Sequence, residues 1–449
     1  MWRVAAVSLV VLIPCFWQSR IQAGDLSSHI YNAWLAQWIE RGEAPGLELT
    51  HPWTNVLFDT ILSTLLRAVG ADAAQRIAVS GAVLIFVWGA FFFIATVSRR
   101  RPWFLMPWIA MLAYGWVFHM GFFNFYLSLG LCWWALGCIC REDRFAWLAI
   151  PIFAIAVTAH ILPVLWAVAM ALYFLAARRV GPLAIGLASL LAIAGARVLL
   201  DRIFITRCNP GQAVWVSGAD QLFVFGPTFL IAASLLLGVW VLAAQRLGWK
   251  QIFSTLPLQF AALTAAGIAI LPNAVSRGPA EAALTYLPER MSLAVGILIC
   301  AALARWEPVR FERFATVALA AGFFTMLHFE TRRLNRMEDE VTRIVRQLPP
   351  MQPVIGATMD ARSRIAFLHF VDRACIGTCF SFANYEPCSR MFRIRVRSRN
   401  PMVVDSYAAS FAMQTGTFAP SPDDPPRYQI ATCGEGLCLN LLLPRCPHE

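Results

Sequence analysis

Charge is scarce in this chain. Only 14% of its 449 residues are Asp, Glu, Lys or Arg, against about a quarter in a soluble domain. Lysine is almost missing: Lys250 stands alone, and arginine carries the rest of the positive charge. The stretch after residue 329 offers no nucleophile triad, Walker loop, dinucleotide loop or repeat, so those chemistries have no footing there. Its cysteines form no C-x2-C pair, which argues against a zinc site.

Apolar residues fill the gap. They make up 59% of the chain, and the mean hydropathy is +0.60. This is the composition of a polytopic membrane protein. Apolar runs alternate with short basic loops as far as about residue 328, and 329–449 reads as a soluble domain.

A net charge of +11 could point to nucleic acid, but the placement of the arginines argues otherwise. Arg99, Arg100 and Arg101, then Arg141 and Arg144, Arg178 and Arg179, Arg246 with Lys250, and Arg305, Arg310 and Arg313 fall in alternate hydrophobic gaps. The gaps near His119 and His160 carry none. This is the positive-inside pattern, and it orients the chain. It places spans at 4–19, 76–98, 103–118, 121–140, 145–159, 161–177, 181–200, 222–244, 252–271, 288–304 and 314–328, about 11 helices. The amino terminus then lies in the cytoplasm and the carboxyl terminus outside. The parity requires 55–69, which contains Asp59 and Arg67, to lie in the interface rather than cross. The first segment also fits a signal peptide loosely, although Ile21 is large for that role.

Six of the 12 cysteines fall in 329–449: Cys375, Cys379, Cys388, Cys433, Cys438 and Cys446. That density suits an oxidising compartment and a disulfide framework. The other six lie in or near spans and read as buried small hydrophobes.

The first outer loop, about 18–75, is much longer than a connector and is therefore the expected site. Within it Leu26, Ile30, Trp34 and Trp38 recur at helical spacing, with Asp25, His29 and Asn32 on another face. Asp25 has two readings, a catalytic acid or an N-cap of that helix. His29 is a second catalytic candidate or an interfacial anchor, and His51 before Pro52 is a weaker binding candidate. Other charges expected at the same mouth are Asp201, Arg202, Arg207 and Asp220, then Arg277, Glu281, Glu289 and Arg290. Arginine forms forked bonds to phosphate, and Arg290, where a span re-enters the bilayer, is the preferred phosphate contact. Glu289 beside it binds substrate or simply neutralises it. His119, Asn124 and His160 are polar residues in spans, a pattern that is costly and often functional. They lie near the outer ends, where they either join the site or reach water.

Beyond the spans, 338–348 reads as an amphipathic helix leaving the membrane, 353–358 as a strand, 392–397 as a strand with every arginine on one face, and 428–432 as another strand. A small α+β domain is expected.

This layout resembles the GT-C glycosyltransferases, which include the protein O-mannosyltransferases and the lipid A aminoarabinose transferases. The resemblance rests on Asp25-Leu26-Ser27-Ser28-His29, Trp34-Leu35-Ala36-Gln37-Trp38 with Gly42 downstream, and the His51-Pro52 turn, and its architecture covers nearly the whole chain. It implies a GT-C-like α-helical membrane domain over 1–328 and an extracytoplasmic, disulfide-containing domain over 329–449. It also implies transfer of a sugar from a polyprenyl-phosphate donor to a lipid, glycan or protein acceptor, at the outer face of a bacterial inner (plasma) membrane. Asp25 and His29 would then be catalytic. His51, His160, Arg202, Arg207, Arg277, Glu289 and Arg290 would hold substrate. Many members place a second acid near the first, whereas here none occurs before Glu40. No cofactor is therefore expected, beyond a weakly bound divalent cation. Two alternatives remain: an O-antigen-type polymerase or ligase, and a non-catalytic transporter or partner for lipid-linked glycans.

Overall fold

The structure is a computed structural model that describes residues 2–44, 46–209, 211–278, 284–358, 365, 369–381, 393–397, 406–424, 426–434 and 436–444. In chain order the helices are α1 (Trp2–Leu12), α2 (Leu26–Glu40), α3 (Leu57–Val69), α4 (Ala71–Ser98), α5 (Met106–Ala113), α6 (Trp116–Met120), α7 (Phe123–Arg141), α8 (Ala149–Ala159), α9 (Ile161–Val180), α10 (Pro182–Ile203), α11 (Phe229–Leu247), α12 (Trp249–Phe253), α13 (Leu256–Ile270), α14 (Leu287–Ala302), α15 (Arg310–Val345), α16 (Phe370–Ala374) and α17 (Tyr407–Thr415). Among the described residues seven helical stretches are long and apolar enough to cross a membrane, and Trp2–Cys15, Ala146–Ala159 and Leu256–Ile270 are shorter apolar helices. The chain is a helical membrane protein.

The helical core forms where side chains are smallest. A Cβ on Gly89 of α4 would lie 2.5 Å from the carbonyl oxygen of Gly130 on α7. The two backbones touch there, as membrane helices do at small residues. Around that contact, Phe86 stacks on Tyr126, and Phe93 packs on Trp133. The apolar stretch 103–120 is not one straight helix. It breaks at Tyr114 and Gly115, between α5 and α6, because Gly115 packs against Gln221 with no room for a side chain.

Among the described residues three small sheets complete the fold. β1 (Leu47–Leu49) pairs antiparallel with β6 (Ile394–Val396), and β2 (Ile205–Arg207) with β3 (Ala274–Ser276). The third sheet comprises β4 (Pro353–Ala357), β5 (Phe380–Ser381), β7 (Arg427–Cys433) and β8 (Gly436–Leu442), in the order β5-β4-β7-β8. β4 runs parallel to both neighbours, and β7–β8 is an antiparallel hairpin. The strand expected at 392–397 is therefore shorter, and it joins the connection between α2 and α3 instead of the carboxy-terminal sheet. Phe392 lies outside the described residues. The helix expected to begin at Glu338 is the continuation of α15, which also runs through the expected boundary at 328/329. Cys375 pairs with Cys379 and Cys433 with Cys438, while Cys388 and Cys446 lie outside the described residues. Cys208 corrects one expectation: it is exposed, not buried.

A buried ionic cluster locks 369–381 to the rest. Arg373 Nε lies 3.0 Å from Glu338 of α15. Its guanidinium also donates to Ser27 Oγ, to Gln75 Oε1 and to the carbonyl of Ile21. Gln22 donates to the other Glu338 oxygen at 2.7 Å. Glu338 keeps Arg20 at 3.6 Å, so Arg373→Met leaves its buried charge only partly compensated and should cost about 3 kcal/mol, the lower end for breaking a buried pair. A thermal melt in detergent checks this, since a shift near zero would show that the cluster contributes nothing.

Candidate functional site

The site is assembled around the start of α2. The amides of Gly24 and Asp25 donate to the carbonyls of His119 (2.7 Å) and Met120 (2.9 Å), pinning the exit of the first segment onto the turn after α6. Gly121 makes the approach possible. Its φ is +85°, and a Cβ there would sit 2.5 Å from the Asp25 nitrogen, so both the conformation and the space demand glycine.

Asp25 occupies the N-cap position of α2, but its side chain accepts no bond from the first turn. The capping reading thus loses its physical basis. The carboxylate is partly open, at 37% exposure. Its Oδ1 lies 3.9 Å from Nε2 of His369. Nδ1 of His369 lies 2.8 Å from Asp372, whose other oxygen accepts from the Ser381 hydroxyl.

His29, one turn along α2, faces elsewhere. Its Nδ1 lies 2.6 Å from Asp59 of α3, and Asn124 of α7 donates to the second Asp59 oxygen at 2.8 Å. Asn124 also accepts the amide of Phe58. This network ties α2, α3 and α7 together. Burial opposes a charge on His29, but Asp59, its hydrogen bond and Asp25 overcome that, so its pKa is raised above the ordinary 6.5. Burial likewise opposes a charge on Asp59, and His29, Asn124 and Arg393 lower its pKa below 3.8 all the same.

The signs give a pH window. The His29 contribution to stability is complete below the unfolded value and fades as pH rises through the raised folded value. The Asp59 contribution is present above about 3.8 and fades as pH falls through its lowered folded value. Wild type should therefore exceed His29→Gln in melting temperature at mildly acidic pH, and the two should converge under alkaline conditions. A constant difference across the range would refute the charged pair.

The second half of the site is Arg290 in the first turn of α14. It is 9% exposed, and its guanidinium carbon lies 3.6 Å above the ring of Phe122. Phe122, Trp116 and Tyr286 touch one another around it. Nε is buried without a hydrogen-bond partner among the described residues. Asp25 and Glu289 act on the guanidinium electrostatically, yet neither forms an ion pair with it among the described residues. Glu289 thus acts on Arg290 through its field and not through a direct ion pair. The Glu289 carboxylate accepts from Asn273, at 3.3 and 3.4 Å.

The remaining candidates divide. His160 is buried and caps α9, its Nδ1 accepting from the Leu162 amide at 3.1 Å. It also packs on Phe125 and faces the field of Arg290. His119 and Asn124 are buried instead of reaching water. His51 is exposed, as are Arg202 at the end of α10, Arg207 on β2 and Arg277 after β3. Among the described residues no hydrogen bond or ion pair joins these four to Asp25 or Arg290. Asp201 is taken by Arg197 and Thr206, and Asp220 by Ser292. Glu281 lies outside the described residues. His369 and Asp372 had no signal in the sequence, because only the fold carries them across from residue 369 to residue 25.

No protein-family model, curated protein or solved structure matches this chain. The site must be read from its own chemistry. A divalent cation needs several free donors. His29 uses its ring on Asp59 and the Gly121 backbone, and Nδ1 of His369 is held by Asp372. Among the described residues, Asp25 and one nitrogen of His369 remain. Among the described residues no group of three or more His, Cys, Asp or Glu side chains is arranged for one.

Proposed function

We propose that this protein is a GT-C-type membrane glycosyltransferase that uses a polyprenyl-phosphate sugar donor at the extracytoplasmic face. The observation that carries the reading is a pairing of opposites within electrostatic reach. Asp25 is a carboxylate released from capping, and Arg290 is a buried guanidinium with no ion-pair partner among the described residues, lying in the field of that carboxylate. A buried charge without a partner is costly, and a phosphate arriving from the lipid would supply that partner.

The acceptor hydroxyl oxygen attacks the anomeric carbon of the donor. The bond from that carbon to the phosphate oxygen breaks, and its electron pair stays on the phosphate. The hydroxyl proton passes to Asp25 as general base. Arg290 stabilises the phosphate charge as it develops. In this reading about 11 helices cross the membrane, with the amino terminus in the cytoplasm, and the first loop and the carboxy-terminal segment share the outer compartment. The acceptor is a lipid, glycan or protein hydroxyl.

Transfer of radiolabelled sugar from a panel of polyprenyl-phosphate donors, in vesicles carrying the purified protein, tests the reading. Donor-dependent labelling of an acceptor supports it. No transfer from any donor, with binding of lipid-linked glycan retained, would favour a transporter or partner instead.

A further inference from the structure

The first outer loop and α14 supply Asp25 and Arg290, but one side of Asp25 is closed by a group from the far end of the sequence. His369 stands immediately before α16, with Nε2 3.9 Å from Asp25 Oδ1 and only 12% of its side chain exposed. Its other nitrogen is fixed by Asp372 at 2.8 Å. Asp372 is itself 1% exposed and held by the Ser381 hydroxyl. An imidazole anchored in this way presents one nitrogen in a defined direction, here toward the carboxylate. The whole unit is tied down by the Cys375–Cys379 disulfide, by Arg373 on Glu338, and by the Ser381 amide donating to the Tyr31 hydroxyl of α2. Such a build suits a group that must hold its direction.

We propose that His369 is a positioning residue of the Asp25 site: it directs the carboxylate toward the acceptor hydroxyl, so that the carboxy-terminal segment completes a site the first outer loop leaves open on one side. The proposal rests on the transferase reading for the identity of the acceptor, but the pairing of His369 with Asp25 is independent of it.

The groups facing His369 set how it titrates. Burial opposes its charge. Asp372 on its own turn and Asp25 on α2 favour that charge, His29 on α2 opposes it, and the net effect raises its pKa above 6.5. Arg373, one turn along, is directed to Glu338. A protonated His369 beside Asp25 is therefore the working form, and turnover should fall as pH rises through its raised midpoint.

Two measurements on the full-length protein in nanodiscs decide the matter. In the first, histidine-labelled protein is titrated by NMR, with the His369 signal assigned from its loss in His369→Gln. The midpoint should drop in Asp25→Asn, because the facing anion is gone, and an unmoved midpoint overturns the pairing. In the second, His369→Gln and Asp372→Asn should each lower kcat by up to about 100-fold, with KM for the donor little changed, and His369→Gln should lose the alkaline limb of the pH–rate profile. Wild-type kcat with an unchanged profile in His369→Gln would overturn the positioning role. If the wild-type chain transfers no sugar, the transferase reading falls, while the Asp25→Asn titration still decides whether His369 faces Asp25.

Discussion

Asp25→Asn is expected to lower sugar transfer by about 10²–10⁴-fold, the usual range for loss of a positioned general base, with no loss of stability from helix capping. The two halves of this expectation come from one observation. Loss of a side-chain N-cap ordinarily costs about 1 kcal/mol, but the Asp25 side chain makes no cap bond, so α2 has none to lose. Its attachment is through backbone: the Gly24 and Asp25 amides on the turn after α6, which asparagine preserves. The check is transfer of labelled sugar alongside a thermal melt at equal protein level. Full transfer in the mutant would remove Asp25 from the chemistry. A melting temperature lowered in Asp25→Ala, which unlike asparagine cannot cap, together with full transfer would return it to a capping role.

Arg290→Met is expected to lower kcat/KM by about 10²–10³-fold, the typical loss on removing one electrostatic donor from a transition state. Its effect on stability should be neutral or favourable. Methionine keeps an apolar contact on Phe122, where the guanidinium now lies 3.6 Å above the ring. It also removes a buried charge whose Nε has no partner among the described residues. Replacing such a charge with an apolar side chain commonly stabilises a fold, and keeping one is the usual trade of stability for activity. A melting temperature that rises or holds while transfer is lost would fit a phosphate contact. If the melting temperature falls as far as in Arg373→Met, the role of Arg290 is structural. The contrast is sharp because Arg373 is saturated by Glu338, Ser27, Gln75 and the Ile21 carbonyl.

The two arginines also show where sequence reading stops. Both lie close to an acidic residue along the chain, Glu289 and Asp372. Yet Arg290 leaves its neighbour to Asn273, and Arg373 passes over Asp372 for Glu338. A side chain several bonds long chooses its partner by where the backbone places it, and adjacency along the chain does not set that.

Local periodicity was legible throughout. The apolar runs produced helices at every expected span, α2 begins at Leu26 as its spacing implied, and the amphipathic 55–69 stretch forms α3. Asp25 and Arg290 stood out because each is a charge at the edge of an apolar run. His29 was seen as a candidate, but its partner Asp59 was read only as a charge within an interfacial helix. That partnership depends on α3 folding back over α2, a matter of packing.

By itself, then, the sequence determined the membrane class, the helical segments and the two ends of the candidate site. Each of these follows from hydrophobic content, period and charge placement within a few turns of chain. Only the tertiary structure decided that β6 joins β1, that α15 runs unbroken through 310–345, that Asp25 is uncapped, and that His369 stands beside it. Those contacts join residues tens to hundreds of positions apart. What selects them is the close packing of glycine-lined helices and the pairing of buried polar groups, neither of which has a period to be read along the chain.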